Sequence, residues 1–352
     1  MTRVDRRPPD ARPPFLPSVP ERPSTEFEAI WPRRFDLDTV RAILGEGADH
    51  VLCDVLASRV NAPIWSLVDR GGRRWRPIVS RLAFLVTGGT PPAPPPICQV
   101  AELLHTGSLV IDDIQDSATE RRGGQAAHAV FGIPTALNAA NTAYFRALDI
   151  LRHALPSDLR LRALDMLAEE LFTAHLGQAL DLALGPQLHS LRIQTAYYFV
   201  LARAKTGALV RIAARLGAIA AAADPAYEAA LSNWARELGV AYQINNDLDD
   251  LVSGMNDVVG CRPTYPLLLV LEHDGPAAAM LRARLGSPTL TEADISELRE
   301  LFARERVTER GRAAAQHAAG RALAAIRALP AIDARTALER MTQDLAGGVP
   351  PS

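Results

Sequence analysis

A chain of 352 residues with 48% apolar content can bury a sizeable core, and a formal net charge of −2 excludes a nucleic acid or anionic membrane captured by bulk charge. Three widely spaced cysteines, Cys53, Cys98 and Cys261, exclude a disulfide framework and point to a reducing, cytoplasmic setting. The best apolar run is broken by Arg203, Lys205 and Arg211, and the first residues hold Asp5, Asp10 and Glu21 without an apolar stretch, so neither a membrane span nor a signal peptide is expected.

Residues 1–32 carry eight prolines, from Pro8 to Pro32, which forbids helix and predicts an extended, disordered arm. The catalytic domain is expected to fill 33–346, with a frayed tail at 347–352. From Leu37 to Val68 apolar residues recur at helical spacing, with a break around Gly45–Gly47. Gly71-Gly72 and the cluster Arg73, Arg74 and Arg76 stand before a helix entered near Pro77, an arrangement able to cradle an anion. TPPAPPP at 90–96 is a rigid stop.

Beyond it lies ELLHTGSLVIDDIQDSATERRGGQAAH, residues 102–128. Asp112 and Asp116 are four apart and share a helix face, about 6 Å apart along the axis. Asp113 lies about 100° round from Asp112, at the edge of the same patch, and His105 is two turns back on that face. Clustered carboxylates among Leu103, Leu104, Leu109, Val110, Ile111 and Ile114 repel one another and lose hydration, which a divalent cation such as Mg²⁺ relieves. Arg121 and Arg122 follow at close range, suited to bidentate phosphate contacts.

A helix is expected over 134–154, and Ser157 should cap another that runs to about Leu184. The next, from about Leu191 to Ala221, is apolar nearly all round and therefore central, with Lys205-Thr206-Gly207 in its middle. Lys205 is the sole lysine among 38 Lys+Arg, which suggests a task that needs a compact ammonium. Asp224-Pro225 opens a helix to about Ser253 that ends in a second oxygen-rich cluster, Asn246, Asp247, Asp249 and Asp250. A loop with Asp257, Cys261 and Arg262 follows, and Thr291 with Asp294 reads as a capping box for a C-terminal helical hairpin. No strand pair and no repeat is visible, so the fold class is all-α.

The order GGRRWRP, ELLHTGSLVIDDIQDSATERRG, AKTG, YQINNDLDD and CRPTYP, across roughly residues 37–345, resembles the trans-isoprenyl diphosphate synthases, and among them the geranylgeranyl diphosphate synthases. The resemblance implies an isoprenoid-synthase-type bundle of antiparallel helices around a central cavity, usually a homodimer, condensing isopentenyl diphosphate with an allylic diphosphate. It implies three Mg²⁺ ions per site, held by Asp112, Asp113, Asp116, Asn246, Asp247 and Asp250. It further implies Arg121, Lys205 and Arg262 on the allylic diphosphate, and Arg73, Arg76, His105 and Arg122 on isopentenyl diphosphate. Lys205, Thr206 and Gln243 would face the reacting carbons. Gly107 and Ser108, where the family sets product length with aromatic side chains, imply a floor deeper in the cavity, at Leu104 or at Tyr144 and Phe145, and hence a twenty-carbon product. Four positions depart from the pattern: Asn246 for aspartate, Arg73 and Arg262 for lysines, and Cys261 for glycine. A class I terpene cyclase acting on an allylic diphosphate alone is the alternative that Asn246 and Cys261 leave open.

Overall fold

The computed structural model describes residues 25–185, 188 and 195–347. The proline-rich segment up to residue 24 and the tail beyond 347 lie outside the described residues. The first helices are α1 (Thr25–Ile30), α2 (Leu37–Leu44), α3 (His50–Leu56), α4 (Ala62–Val68) and α5 (Trp75–Val86), with a π turn at 57–61. The long helices follow: α6 (Pro95–Gln115), then after the short α7 (Ala127–Phe131) come α8 (Ile133–Ala154) and α9 (Ser157–Leu184). Next are α10 (Thr195–Ala204), α11 (Thr206–Ala220) and α12 (Pro225–Ser253). The C-terminal part holds α13 (Asn256–Val259), α14 (Tyr265–Leu271), α15 (Pro276–Arg282), α16 (Glu292–Arg304), α17 (Val307–Ala325) and α18 (Asp333–Ala346). The all-α reading holds.

Local chemistry places several boundaries. Asp224 accepts from the Ala226 amide at 2.8 Å and Pro225 takes the first helical position of α12, where a missing N–H costs nothing. Thr291 and Asp294 cap each other's backbone at the head of α16. Ser157, expected as a cap, is instead the first helical residue after Pro156.

Two large groups of buried apolar side chains make the core, one gathered around α5, α6, α8 and α11 and the other around α14 and α17. α12 serves both: Leu231, Trp234 and Leu238 belong to the first, Ile244, Leu248 and Leu251 to the second. α11 is buried nearly all round, as its composition demands. It meets α12 where two glycines face each other, since a Cβ on Gly239 would lie 2.7 Å from the Gly207 Cα. That close approach brings the Lys205-Thr206 end of α11 beside Gln243 on α12.

Three expectations are corrected. The arm does not extend to residue 32: α1 forms at Thr25, and Phe27, Ile30 and Trp31 are buried in the first core, which offsets the ordering entropy. The helix expected to be continuous through Lys205 breaks there, separating α10 from α11. A strand pair does exist, Glu120–Arg121 against Gly124–Gln125. Its two-residue turn has φ +52° at Arg122 and +71° at Gly123, the double left-handed geometry of a tight type I′ hairpin. The stretch His50–Val68 is apolar and long enough to cross a membrane by composition alone, yet Ile64, Trp65, Leu67 and Val68 are buried in the first core.

Candidate active site

The C-terminal end of α6 faces the break between α10 and α11. Asp112 accepts from Lys205 Nζ at 3.3 Å and from Gln178 Nε2 at 3.2 Å, while Asp116 pairs with Arg262. Lys205 also reaches Asp181 on α9 at 2.6 Å, and Arg262 approaches the same carboxylate at 3.7 Å. Burial opposes the charge on Lys205, but Asp112 and Asp181 outweigh it and its pKa is raised, so the ammonium is secured. The backbone at this break is pressed against α9, for a Cβ on Gly177 would lie 2.7 Å from the Lys205 nitrogen. Sequence reasoning missed Asp181 and Gln178 as site residues. The signal was present as two polar side chains three apart in the apolar run HLGQALDLAL.

Asp113, expected as a supporting metal ligand, is engaged by a guanidinium in this conformation. It is 0% exposed and pairs with Arg121, whose Nε donates to it at 2.7 Å. It braces Arg121, which in turn sits 3.5 Å from Asp112. The hairpin explains the pairing, because its strands fold Arg121 back over the end of α6.

The second cluster lies on α12. Thr206 Oγ1 donates to Gln243 at 2.6 Å, and Gln243 Nε2 donates to Asp247 at 2.7 Å, so the three act as one chain. Asp247 also accepts from the Tyr265 amide at 3.1 Å. Asn246 is half-buried on the same helix. Asp250, expected as a ligand, accepts from the Asn256 and Asp257 amides at 3.1 and 2.9 Å and from Asn256 Nδ2 at 3.0 Å, which makes it the cap of the following turn in this conformation. Burial pushes Asp247 up to about 7, and burial with the charges of Asp247 and Asp250 pushes Asp257 up to about 8. The Asp181 charge contributes to raising both, so the two clusters are electrostatic neighbours.

Among the described residues no three His, Cys, Asp or Glu side chains converge on a single point. The donors nonetheless suit Mg²⁺: they are all oxygen, and Asp116, Asp247 and Asp257 are carboxyls whose ionisation burial and neighbouring acids disfavour. A divalent cation favours the ionised form. The sign of the pH effect follows. Raised carboxyl pKa values mean that the native state binds protons more tightly than the unfolded chain, so stability falls as pH rises from about 4 through 7–8. Melting temperature without Mg²⁺ should therefore drop between pH 6 and 9, and added Mg²⁺ should raise it more at pH 8.5 than at pH 6. Equal Mg²⁺ effects at both pH values would show that these carboxyls do not hold the ion.

Two turns back along α6, around His105, lies a cluster of arginines. Arg122 donates to the Leu67 carbonyl at 3.1 Å and to that of Gly71, and its guanidinium lies where a Cβ on Gly72 would come within 2.7 Å. A side chain at 72 would push the guanidinium aside, and the φ of +133° there favours glycine. Arg74 donates to the Val68 carbonyl at 2.6 Å from a left-handed backbone, φ +40°. Arg76 is buried, with Nε unpartnered among the described residues, and Arg73 stands at the cluster's edge. Burial pulls the pKa values of Arg74, Arg76 and Arg122 down, and the first charge opposing this is Glu102. Glu102, 4% exposed and one turn before His105, is a third residue that sequence reasoning missed. Burial and the charges of Arg76, Arg122 and Arg121 hold His105 well below its ordinary pKa, so it is neutral here. Guanidinium groups crowded around one carboxylate are costly to bury unless an anion joins them.

The polyprenyl synthetase family model matches residues 57–302. This chain belongs to the polyprenyl synthetase family. It is a prenyltransferase. The chain is 30% identical over 260 residues to a short chain isoprenyl diphosphate synthase of Methanothermobacter thermautotrophicus, covering 71% of this chain and 78% of that one. A polyprenyl synthase from Caulobacter crescentus CB15, complexed with calcium and isoprenyl diphosphate, superposes with a TM-score of 0.73 at 27% identity over 90% of this chain and 98% of its own. A geranylgeranyl pyrophosphate synthetase from Pyrococcus horikoshii Ot3 shares the fold with a TM-score of 0.76 at 24% identity, over 92% of this chain and 98% of that one.

In this polyprenyl synthetase fold the two positions expected to govern product length differ. Gly107 is buried against α8, where an added Cβ would meet the Ala140 carbonyl at 3.2 Å and Ala143 Cβ at 3.3 Å. It is a helix-packing glycine, which corrects its placement on the cavity wall. Ser108 is half-buried and one turn before Asp112 on the same face. Of the deeper candidates, Phe145 is 70% exposed and cannot be a floor, whereas Leu104 is wholly buried. Tyr144 packs against His175 at 5.7 Å, and burial with the Asp112 charge pushes its pKa up to about 12.

Proposed function

We propose that this enzyme adds isopentenyl diphosphate head-to-tail to an allylic diphosphate and releases a linear all-E prenyl diphosphate, geranylgeranyl diphosphate being the assigned product. One observation carries the reading: the site has two cationic ends, Lys205 and Arg262 among the acids and the Arg76–Arg122–His105 cluster two turns back along α6. A cyclase acting on an allylic diphosphate alone would leave the second end without a task.

In this reading the allylic C1–O bond breaks heterolytically and its electron pair leaves with the diphosphate. Lys205, Arg262 and Arg121 stabilise that negative charge where it develops. Mg²⁺ held by Asp112, Asp116, Asn246 and Asp247, with Asp250 once released from its cap, would supply further charge neutralisation. The isopentenyl double bond attacks the allylic C1, and the proton lost from the new unit passes to the freed diphosphate. Arg73, Arg76 and Arg122 orient the isopentenyl diphosphate, and the neutral His105 adds a hydrogen bond. Thr206 and Gln243, fixed by their mutual hydrogen bond, keep oxygen dipoles near the developing cation. Apolar walls exclude the water that would quench it.

Exposed apolar side chains on α8 and α9, Ile133, Leu137, Phe145, Phe172 and Leu176, support a homodimer joined through these helices. Three unpaired cysteines agree with a cytoplasmic location. The test is direct. With Mg²⁺ and an allylic diphosphate alone, turnover should be near zero, and isopentenyl diphosphate should restore it with linear diphosphates as products. Cyclic hydrocarbon from a single allylic substrate would replace this reading with the cyclase.

A further inference from the structure

The arginines around the isopentenyl end are held in different ways. Arg122 is tied to two carbonyls, Arg74 to the Val68 carbonyl among its contacts, and Arg121 to a buried carboxylate. Arg73 forms no ion pair among the described residues, and its Nη1 donates to the Tyr242 hydroxyl at 3.4 Å. Its guanidinium carbon stands 5.6 Å from the centre of the Tyr242 ring. That ring packs on Trp75 at 5.5 Å, and the Arg76 guanidinium lies 5.1 Å from Trp75 on its own account. The result is a four-membered ladder, Arg73–Tyr242–Trp75–Arg76, with a cation at each end and Trp75 only 1% exposed.

We infer that Tyr242 is a positioning residue for isopentenyl diphosphate, holding the Arg73 guanidinium toward the diphosphate through its ring face and hydroxyl. This rests on the assignment of the Arg73–Arg76 loop to that substrate under the proposed function. A free arginine side chain samples many rotamers and must lose them on binding, and a cation held over an aromatic ring is ordered beforehand. The ladder also gives a reason for arginine at 73: a planar fork can lie against the ring and donate to its hydroxyl together. Tyr242 directly precedes Gln243, so the same turn of α12 serves the isopentenyl loop and the second oxygen cluster.

Steady-state kinetics with both substrates varied tests this. Tyr242→Leu should raise KM for isopentenyl diphosphate about tenfold, or about 1.4 kcal/mol, with KM for the allylic diphosphate and kcat within about twofold. Tyr242→Phe, which keeps the ring and the packing on Trp75, should recover most of the loss. In an Arg73→Lys background, Tyr242→Leu should add less than about a further twofold, because no guanidinium remains for it to hold. If Arg73→Ala raises KM for isopentenyl diphosphate but Tyr242→Leu does not, the positioning role is overturned while the substrate assignment stands. A Tyr242→Leu loss that falls equally on kcat and both KM values would make Tyr242 an ordinary packing residue. An unchanged KM in Arg73→Ala would remove the assignment of this loop, and the inference with it.

Discussion

Replacing Lys205 with methionine should lower kcat by on the order of 10³-fold at saturating concentrations of both substrates, together with a lower melting temperature from the unpaired Asp181 and Asp112. The ammonium sits at the break between α10 and α11 and bridges Asp181 and Asp112 at 2.6 and 3.3 Å, the point where the leaving diphosphate's charge must be met. Methionine fills similar volume but leaves the carboxylates and the diphosphate to repel one another. Lys205→Arg should also fail, by about 10²-fold. Its planar fork prefers bidentate pairing with a carboxylate and would settle on Asp181 or Asp112 instead of remaining free for substrate. The close packing of Gly177 against the Lys205 backbone leaves no room for the chain to shift in compensation. An arginine variant with near-normal kcat would mean that the sole lysine of the chain is an accident of composition.

Much of this architecture is legible because it depends on neighbours in sequence. The caps at Asp224 and Thr291, the break around Gly45–Gly47 and the shared face of Asp112 and Asp116 follow from local chemistry and the 3.6-residue period. What escapes is decided by partners distant in the chain. Asp113 lies one position from Asp112, and only the hairpin that returns Arg121 across the helix end determines that it faces inward. Gly107 and Ser108 are adjacent, yet α8 claims one and the cavity side the other. The break at Lys205 is invisible in an apolar run, since it arises where α9 crowds the backbone through Gly177. Asp181 and Glu102 looked like ordinary helix polar residues. Their roles emerge when Lys205 and Arg262, or Arg74, Arg76 and Arg122, arrive from other elements.

Ser108→Phe should shorten the product by at least one five-carbon unit, to farnesyl diphosphate or below, while leaving the first condensation on dimethylallyl diphosphate within about threefold. Ser108 lies one turn before Asp112 on the same helix face, and its hydroxyl donates to the His105 carbonyl at 2.8 Å. Under the proposed function, a chain growing from the Asp112 end toward Tyr144 passes this position. Each unit adds about 4–5 Å, close to one helical turn, so a ring at 108 closes the path about one unit early. Gly107→Phe makes a poor version of this experiment, because its side chain would drive into the Ala140 carbonyl and part α6 from α8. The converse change is more informative. Tyr144, half-buried on α8, packs on His175 at 5.7 Å. Tyr144→Ala removes that ring and should lengthen the product beyond twenty carbons, read as a shift in the chain-length profile of dephosphorylated alcohols by gas chromatography. If both variants return the wild-type profile, the chain grows along a different wall of α6 and the length assignment fails, whereas a wild-type product of fifteen carbons would move the floor up to a residue nearer Asp112 than Tyr144.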